Sequence, residues 1–219
     1  MNNHSRKAFT LSEVLIVLGI VGIIAAVTLP ILITNYQKTV TATRVKTFYS
    51  KINQAMQLSI ADGNNPTGSI VSYKTYSYQD NLAFLKMFIY PYMKYVEYYP
   101  CPIGDNKVCT ILYDGGVMSF RIDFNGGDIA YYTNKKHISD LTNQQRYKFL
   151  FQLTKLKGNG DIENQNALEY VEPYTWNWDG KRESLKSGNF GCAKNSIYFA
   201  YCTQLLKENG WKFTNDYPW

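Results

Sequence analysis

Hydrophobic and polar positions divide this chain into stretches of different period. From residue 14 to residue 33 there are 20 residues without a charge, VLIVLGIVGIIAAVTLPILI. A helix of that length rises about 1.5 Å per residue and spans roughly 30 Å, the thickness of one bilayer core. Residues 36–61 contain neither Gly nor Pro, and apolar residues recur at Val45, Phe48, Ile52, Ala55/Met56 and Ser59/Ile60. That is helical spacing with one face to bury. The pattern predicts one long helix from about residue 9 to about residue 61, bent at Pro30, where a backbone hydrogen bond is lost. Asp62-Gly63-Asn64-Asn65-Pro66 ends it.

Farther along, the period falls to two. Residues 108–113 are rich in β-formers, and Asp114-Gly115 is a hairpin signal. Within 117–124, Met118, Phe120, Ile122 and Phe124 alternate with Ser119, Arg121 and Asp123, and Asn125-Gly126-Gly127-Asp128 turns the chain into 129–133. This predicts a three-stranded antiparallel meander with one apolar face, which needs a cover. The stripe Val45, Phe48, Ile52 and Met56 is the natural one, so the predicted fold class is α+β, a long N-terminal helix packed on a small antiparallel sheet. Residues 80–99 predict a helix capped by Asp80 or Asn81 and broken at Pro91. Residues 142–156 read as a short helix, and 157–161 and 176–191 as long surface loops. The tail reads as a short helix stopped by Asn209-Gly210.

Composition adds little except at the cysteines. The chain has 219 residues, 45% of them hydrophobic and 18% charged, which suits one domain with a core and excludes a disordered chain. Removing residues 1–8, which hold Arg6 and Lys7, takes the net charge from +6 to +4. No run of like charge implies a nucleic-acid partner. Cys101/Cys109 and Cys192/Cys202 form two close pairs without zinc-knuckle spacing. Two disulfides in an oxidising compartment are the preferred reading, with the local pairing favoured among three connectivities; four reduced, buried thiols are the alternative.

Glu13 changes the picture of the apolar run. An ordinary cleaved signal peptide has an apolar core of about 7–15 residues, and here the nearest small-residue site, Ala26-Val27-Thr28, lies inside a longer run. A plain signal anchor fits the length but leaves a carboxylate at the start of the span unexplained. Cleavage before Phe9 would create an α-amino group four residues from Glu13. That amine could neutralise the carboxylate within one helix or on a staggered neighbour. A carboxylate snorkelling to the interface, helped by the helix dipole, is the competing account. Arg6 and Lys7 ahead of the span favour a cytoplasmic N-terminus, although Lys38, Arg44 and Lys46 weaken the contrast.

Lys7-Ala8-Phe9-Thr10-Leu11-Ser12-Glu13-Val14 closely resembles the N-terminal signature of type IV prepilins and type II secretion pseudopilins. The resemblance covers residues 7–33, including Pro30 where many of these proteins have a helix-kinking proline. The family usually has Gly before the cut, where this chain has Ala8. The tail, with a cysteine, a Gly-Trp-Lys step and a terminal Asp-Tyr-Pro-Trp, is similar to the ending of many prepilin-like proteins. The resemblance implies cleavage by prepilin peptidase between Ala8 and Phe9, N-methylation of Phe9, and assembly with other pilin or pseudopilin subunits through Glu13. It also implies a division into a leader (1–8), a transmembrane and filament-core helix (9–34), its amphipathic continuation (35–62) and an extracytoplasmic globular domain (63–219). The protein would cross the inner membrane once, with its N-terminus cytoplasmic and its C-terminal domain periplasmic or extracellular, and would enter the filament on assembly.

No nucleophile motif, P-loop or zinc-protease helix is present, and His137 would be the one histidine left after cleavage, so no enzyme is expected. Asp123, Asn125 and Asp128, with Asp161 and Glu163 as optional additions, are the candidate ligands for a Ca2+ ion, for which pseudopilins give a precedent; an ordinary hairpin turn is the preferred reading. Lys94 beside Tyr92/Tyr95, and Lys181/Arg182 beside Trp176/Trp178, form no basic stripe. Nucleic acid is therefore not an expected partner, and the 19 tyrosines are expected to pack the sheet. Three functions follow. The first is a structural subunit of a type IV pilus or type II secretion filament. The second is a scarce tip or minor pilin that binds DNA, a surface or a secreted protein through loops 157–191. The third is a membrane-anchored extracytoplasmic protein that never assembles.

Overall fold

The structure is a computed structural model that describes residues 10–66, 77–123, 126–139, 144–156, 162–164 and 169–219, with the backbone alone at 123, 126, 155–156 and 162–164. It divides into two compact units, residues 1–40 and 41–219. Helix α1, Leu11–Ala61, continues unbroken through Pro30. In the first unit its apolar side chains face outward on every side, Leu15, Ile16, Ile20, Ile23 and Leu32 among them.

In the second unit the helix behaves as an amphipathic element. Val45, Phe48, Ile52, Ala55 and Met56 are buried against a sheet. Phe48 stacks on Tyr131 with ring centroids 4.6 Å apart and lies 5.4 Å from Phe151. The helix-on-sheet packing read from the sequence is therefore present, but the sheet is larger than a meander. Its strands are β1 (Tyr95–Pro100), β2 (Val108–Leu112), β3 (Val117–Asp123), β4 (Gly126–Tyr132), β5 (Lys148–Leu156), β6 (Ile162–Asn164) and β7 (Tyr170–Pro173). Strands β1 to β5 pair in chain order, and β6 and β7 both pair with β5; all pairings are antiparallel.

Two expectations are corrected. The helix expected over 142–156 is not formed across its described residues, 144–156. Only Gln144–Tyr147 forms a turn, α3, and the chain then extends as β5, because Phe149, Phe151 and Leu153 alternate onto the buried face. The helix after residue 77, α2 (Tyr78–Phe88), is capped by Ser77 and not by Asp80 or Asn81. Asp80 occupies the third helical position and closes a reciprocal capping box, while Asn81 is fully buried. The segment 176–191 is a mostly exposed loop, as expected, but it is anchored to the core. A 3-10 turn at Arg182–Lys186 buries Leu185, whose carbonyl accepts from the Cys192 N–H at 2.6 Å. The segment 157–161 lies outside the described residues.

The tail helix α4, Cys202–Glu208, ends at Asn209 and Gly210, the latter in the left-handed region at φ +65°. Leu205 and Leu206 put it into the same core. The sheet also has a second, smaller cluster on its other face, formed by Cys109, Val117, Ala130, Tyr132 and Ile138. The face carrying Ser119 is thus only partly wet.

Candidate functional site

At the start of α1 the sequence Thr10-Leu11-Ser12-Glu13 folds into a reciprocal cap. The Thr10 N–H donates to Glu13 Oε2 at 2.8 Å and the Thr10 hydroxyl donates to the same oxygen at 2.9 Å. The Glu13 N–H in turn approaches Thr10 Oγ1 at 3.2 Å. A carboxylate here also meets the positive end of the helix dipole. Glu13 is exposed, so nothing in its own unit removes it from solvent. Ala8 and Phe9, the predicted cleavage and methylation residues, lie outside the described residues. In the sequence, a threonine three residues ahead of a glutamate is the capping-box signal that points to Thr10.

Along the apolar run the few polar atoms are dealt with locally. Thr28 Oγ1 donates to the Ile24 carbonyl at 2.9 Å, and Thr34 Oγ1 donates to the Pro30 carbonyl at 2.9 Å. A hydroxyl folded back onto its own helix demands no external partner, which is compatible with an apolar surrounding. The helix is long and apolar enough to cross a membrane.

The second unit fastens its helix to its sheet with polar clamps that periodicity does not reveal. Asn53 presents its amide to β7 as a strand would, with Nδ2 donating to the Val171 carbonyl at 2.7 Å and Oδ1 accepting from the Val171 N–H at 2.8 Å. Gln57 Nε2 donates to the Glu169 carbonyl at 2.8 Å. Asn81 Oδ1 accepts from the Ile122 N–H at 2.7 Å. Backbone groups left by neighbouring strands are thus satisfied by side chains. Lys207, Glu172 and Tyr49 form a partly buried cluster in which Glu172 receives both the lysine ammonium and the tyrosine hydroxyl. Desolvation first, and Glu172 second, push the Tyr49 hydroxyl well above the ordinary tyrosine range.

Asp114 ties the β2–β3 turn to the helix. Its Oδ2 accepts from Tyr131 at 2.5 Å and from Arg44 Nε at 3.4 Å, and its carbonyl accepts from Arg44 at 2.7 Å. Gly115 takes φ +78°, and a side chain at Gly116 would meet the Tyr131 ring at 2.6 Å, so the Gly-Gly pair is required by this turn. The Cys101–Cys109 and Cys192–Cys202 disulfides close the two local loops, with Cα atoms 5.0 and 4.7 Å apart.

The remaining candidates are dispersed. Asp128 faces Arg121 across β3 and β4, with Nη2 to Oδ2 at 3.4 Å. The side chains of Asp123 and Glu163, and all of Asn125 and Asp161, lie outside the described residues. Among the described residues no group of three His, Cys, Asp or Glu side chains converges. His137 stacks on Tyr147 at 3.7 Å, and Arg182 is engaged by Glu208, Asn209 and Asp216. Tyr90 stacks on Tyr98, and Tyr95 is tilted against both.

Comparison with known proteins places the two ends of the chain separately. Residues 31–219 match the family described as Family of unknown function (DUF6613). Residues 3–29 match the Prokaryotic N-terminal methylation motif, the prepilin-type signature. No curated protein and no solved structure matches the chain.

Proposed function

The chain belongs to this family of unknown function and begins with a prepilin-type signature, and from that premise we propose that it is a structural pilin-like subunit: it is cut by prepilin peptidase between Ala8 and Phe9, methylated at Phe9 and assembled into a type IV pilus or type II secretion filament. The observation that carries the reading is the first half of α1, apolar and exposed on every side and headed by one carboxylate, Glu13. Pilin-like proteins are usually structural rather than catalytic, and the dispersed polar clusters of the second unit fit that role.

The proposed mechanism begins in the inner membrane, where the helix would rest with the C-terminal domain outside. Removing residues 1–8 replaces a basic leader with an α-amino group one residue before Thr10. Opposite unit charges about 4 Å apart attract by about 1 kcal/mol in water and about 4 kcal/mol at an effective dielectric of 20. The amine–Glu13 pair therefore discriminates between registers only when neighbouring helices exclude water. A misaligned subunit would leave the carboxylate unpaired among apolar side chains, which is costly. Lipid is as apolar as leucine, so helix association must come from close packing. Gly19 and Gly22, with nothing within 4 Å of the position of a β-carbon, leave room for a neighbour.

Intact mass of the membrane-extracted protein tests processing. Loss of residues 1–8 with addition of one methyl group supports the reading, and retention of Met1 to Ala8 would sink it.

A further inference from the structure

Lys94 stands beside Tyr92 in the sequence, and the fold gives that lysine a setting. A groove of about 290 Å³ lies between α1 and the β2–β3 turn. Buried Phe48, Met93 and Leu112 line it together with exposed Lys51, on α1, and exposed Lys94, just ahead of β1. Tyr113, also in its wall, is 72% exposed. Neither lysine makes an ion pair or hydrogen bond among the described residues. The acid of the groove, Asp114, is already engaged by Arg44 and Tyr131. Apolar surface flanked by two positive charges is complemented by an apolar side chain next to a carboxylate that has no partner of its own.

That combination occurs at the other end of β2. The loop closed by the Cys101–Cys109 disulfide leaves Ile103 38% exposed. Two residues on, Asp105 is exposed and makes no ion pair or hydrogen bond among the described residues. By contrast, Glu97, Asp114, Asp128, Glu172, Glu208 and Asp216 are all held in ion pairs. Gly104 at φ +80° and Asn106 at φ +62° bend the backbone on either side of Asp105, and Asn81 Nδ2 donates to the Asn106 carbonyl at 2.8 Å. The loop is therefore shaped before it meets anything, which lowers the entropy cost of docking. It cannot reach its own groove, because the five residues of β2 separate the two by roughly 17 Å.

We propose that the 102–106 loop of one copy docks in the groove of a second copy, with Ile103 on the apolar lining and Asp105 between Lys51 and Lys94. Two different patches at opposite ends of β2 make a heterologous contact, which runs head to tail and stays open unless its rotation closes a ring. The contact rests on the filament assembly proposed above, which brings the copies into a row, and it names the surfaces that meet. Zero-length carbodiimide coupling of the full chain, in membranes and in sheared filaments, followed by peptide mass spectrometry tests it. An amide between Asp105 and Lys51 or Lys94 is expected, and the length of β2 requires it to join two copies. Asp105→Lys lowers the amount of chain in sheared filaments about tenfold, and combining it with Lys51→Glu and Lys94→Glu restores that amount. Ile103→Ser, which leaves the charges in place, lowers it about threefold. All four residues are exposed, so thermal unfolding stays unchanged in each variant. Filaments that contain the chain without this cross-link, normal incorporation of Asp105→Lys, or no rescue by the exchanged charges would each overturn the docking and leave filament assembly standing. A chain absent from sheared filaments counts against assembly instead, and presence or absence of the cross-link in membranes then decides the docking by itself.

Discussion

The two halves of α1 are one continuous helix with opposite relations to their surroundings. Ile23, in the first unit, is 70% exposed, whereas Ile52, in the second, is fully buried. Residues 14–33 are apolar on every face, while residues 41–61 have one apolar stripe and a wet back. A stripe can be satisfied by a single sheet supplied by the same chain. A helix greasy all round can be satisfied only by something that surrounds it, lipid or other helices. The second half therefore stabilises a fold, and the first half is available for assembly.

The sharpest way to break this comparison is at Glu13. Glu13→Val should abolish incorporation into sheared filaments while leaving thermal unfolding of the second unit unchanged. Normal incorporation would remove the register role. Next in size is a matched pair: Ile52→Ala should destabilise the domain by about 2–5 kcal/mol, and Ile20→Ala by less than about 0.5 kcal/mol, both read by urea unfolding. Similar losses at the two positions would mean that the halves do not differ as described. Replacing Cys192 and Cys202 together by Ser should cost about 2–3 kcal/mol by chain-entropy reasoning, visible as a lower unfolding midpoint.

Asn53→Ala should cost about 1–3 kcal/mol, because it leaves both polar groups of the buried Val171 without their clamp. Faster amide exchange at Val171 would confirm the location. Smallest is Arg44→Met, about 0.5–1 kcal/mol, since the Arg44–Asp114 pair is about one-third exposed and screened by solvent. A loss several times larger would mean that the Asp114 turn depends on Arg44 more than on Tyr131.

Periodicity was most informative where a segment's environment is uniform along its length. The long helix, the β2–β3–β4 alternation and the tail helix were all legible for that reason. Strand β5 was not. Its Phe149, Phe151 and Leu153 do alternate, but Leu150 sits on the other face and the preceding Gln144, Gln145 and Arg146 favour helix. Pairing with β4 on one side and β7 on the other overrides that local preference. Strand β7 is four residues long and ends in Pro173, a weak signal that an edge position tolerates. At the candidate assembly site, Glu13 was legible because a carboxylate beside an apolar run is conspicuous. Thr10 is less conspicuous because its role is a hydrogen bond three residues away.

What the sequence by itself determined is what depends on a residue's neighbours along the chain. That covers the 20-residue apolar span, the carboxylate at its start, the stripe that follows and the spacing of the two cysteine pairs. What only the tertiary structure decided depends on partners distant in sequence. Asn53 closes the edge of β7, Asp114 gathers Arg44 and Tyr131, and Tyr132 and Lys148 meet across two strands. Hydrophobic period is set by a local helix or strand repeat and can be read along one dimension. Polar satisfaction is a three-dimensional requirement, so those pairings appear only once the chain has folded.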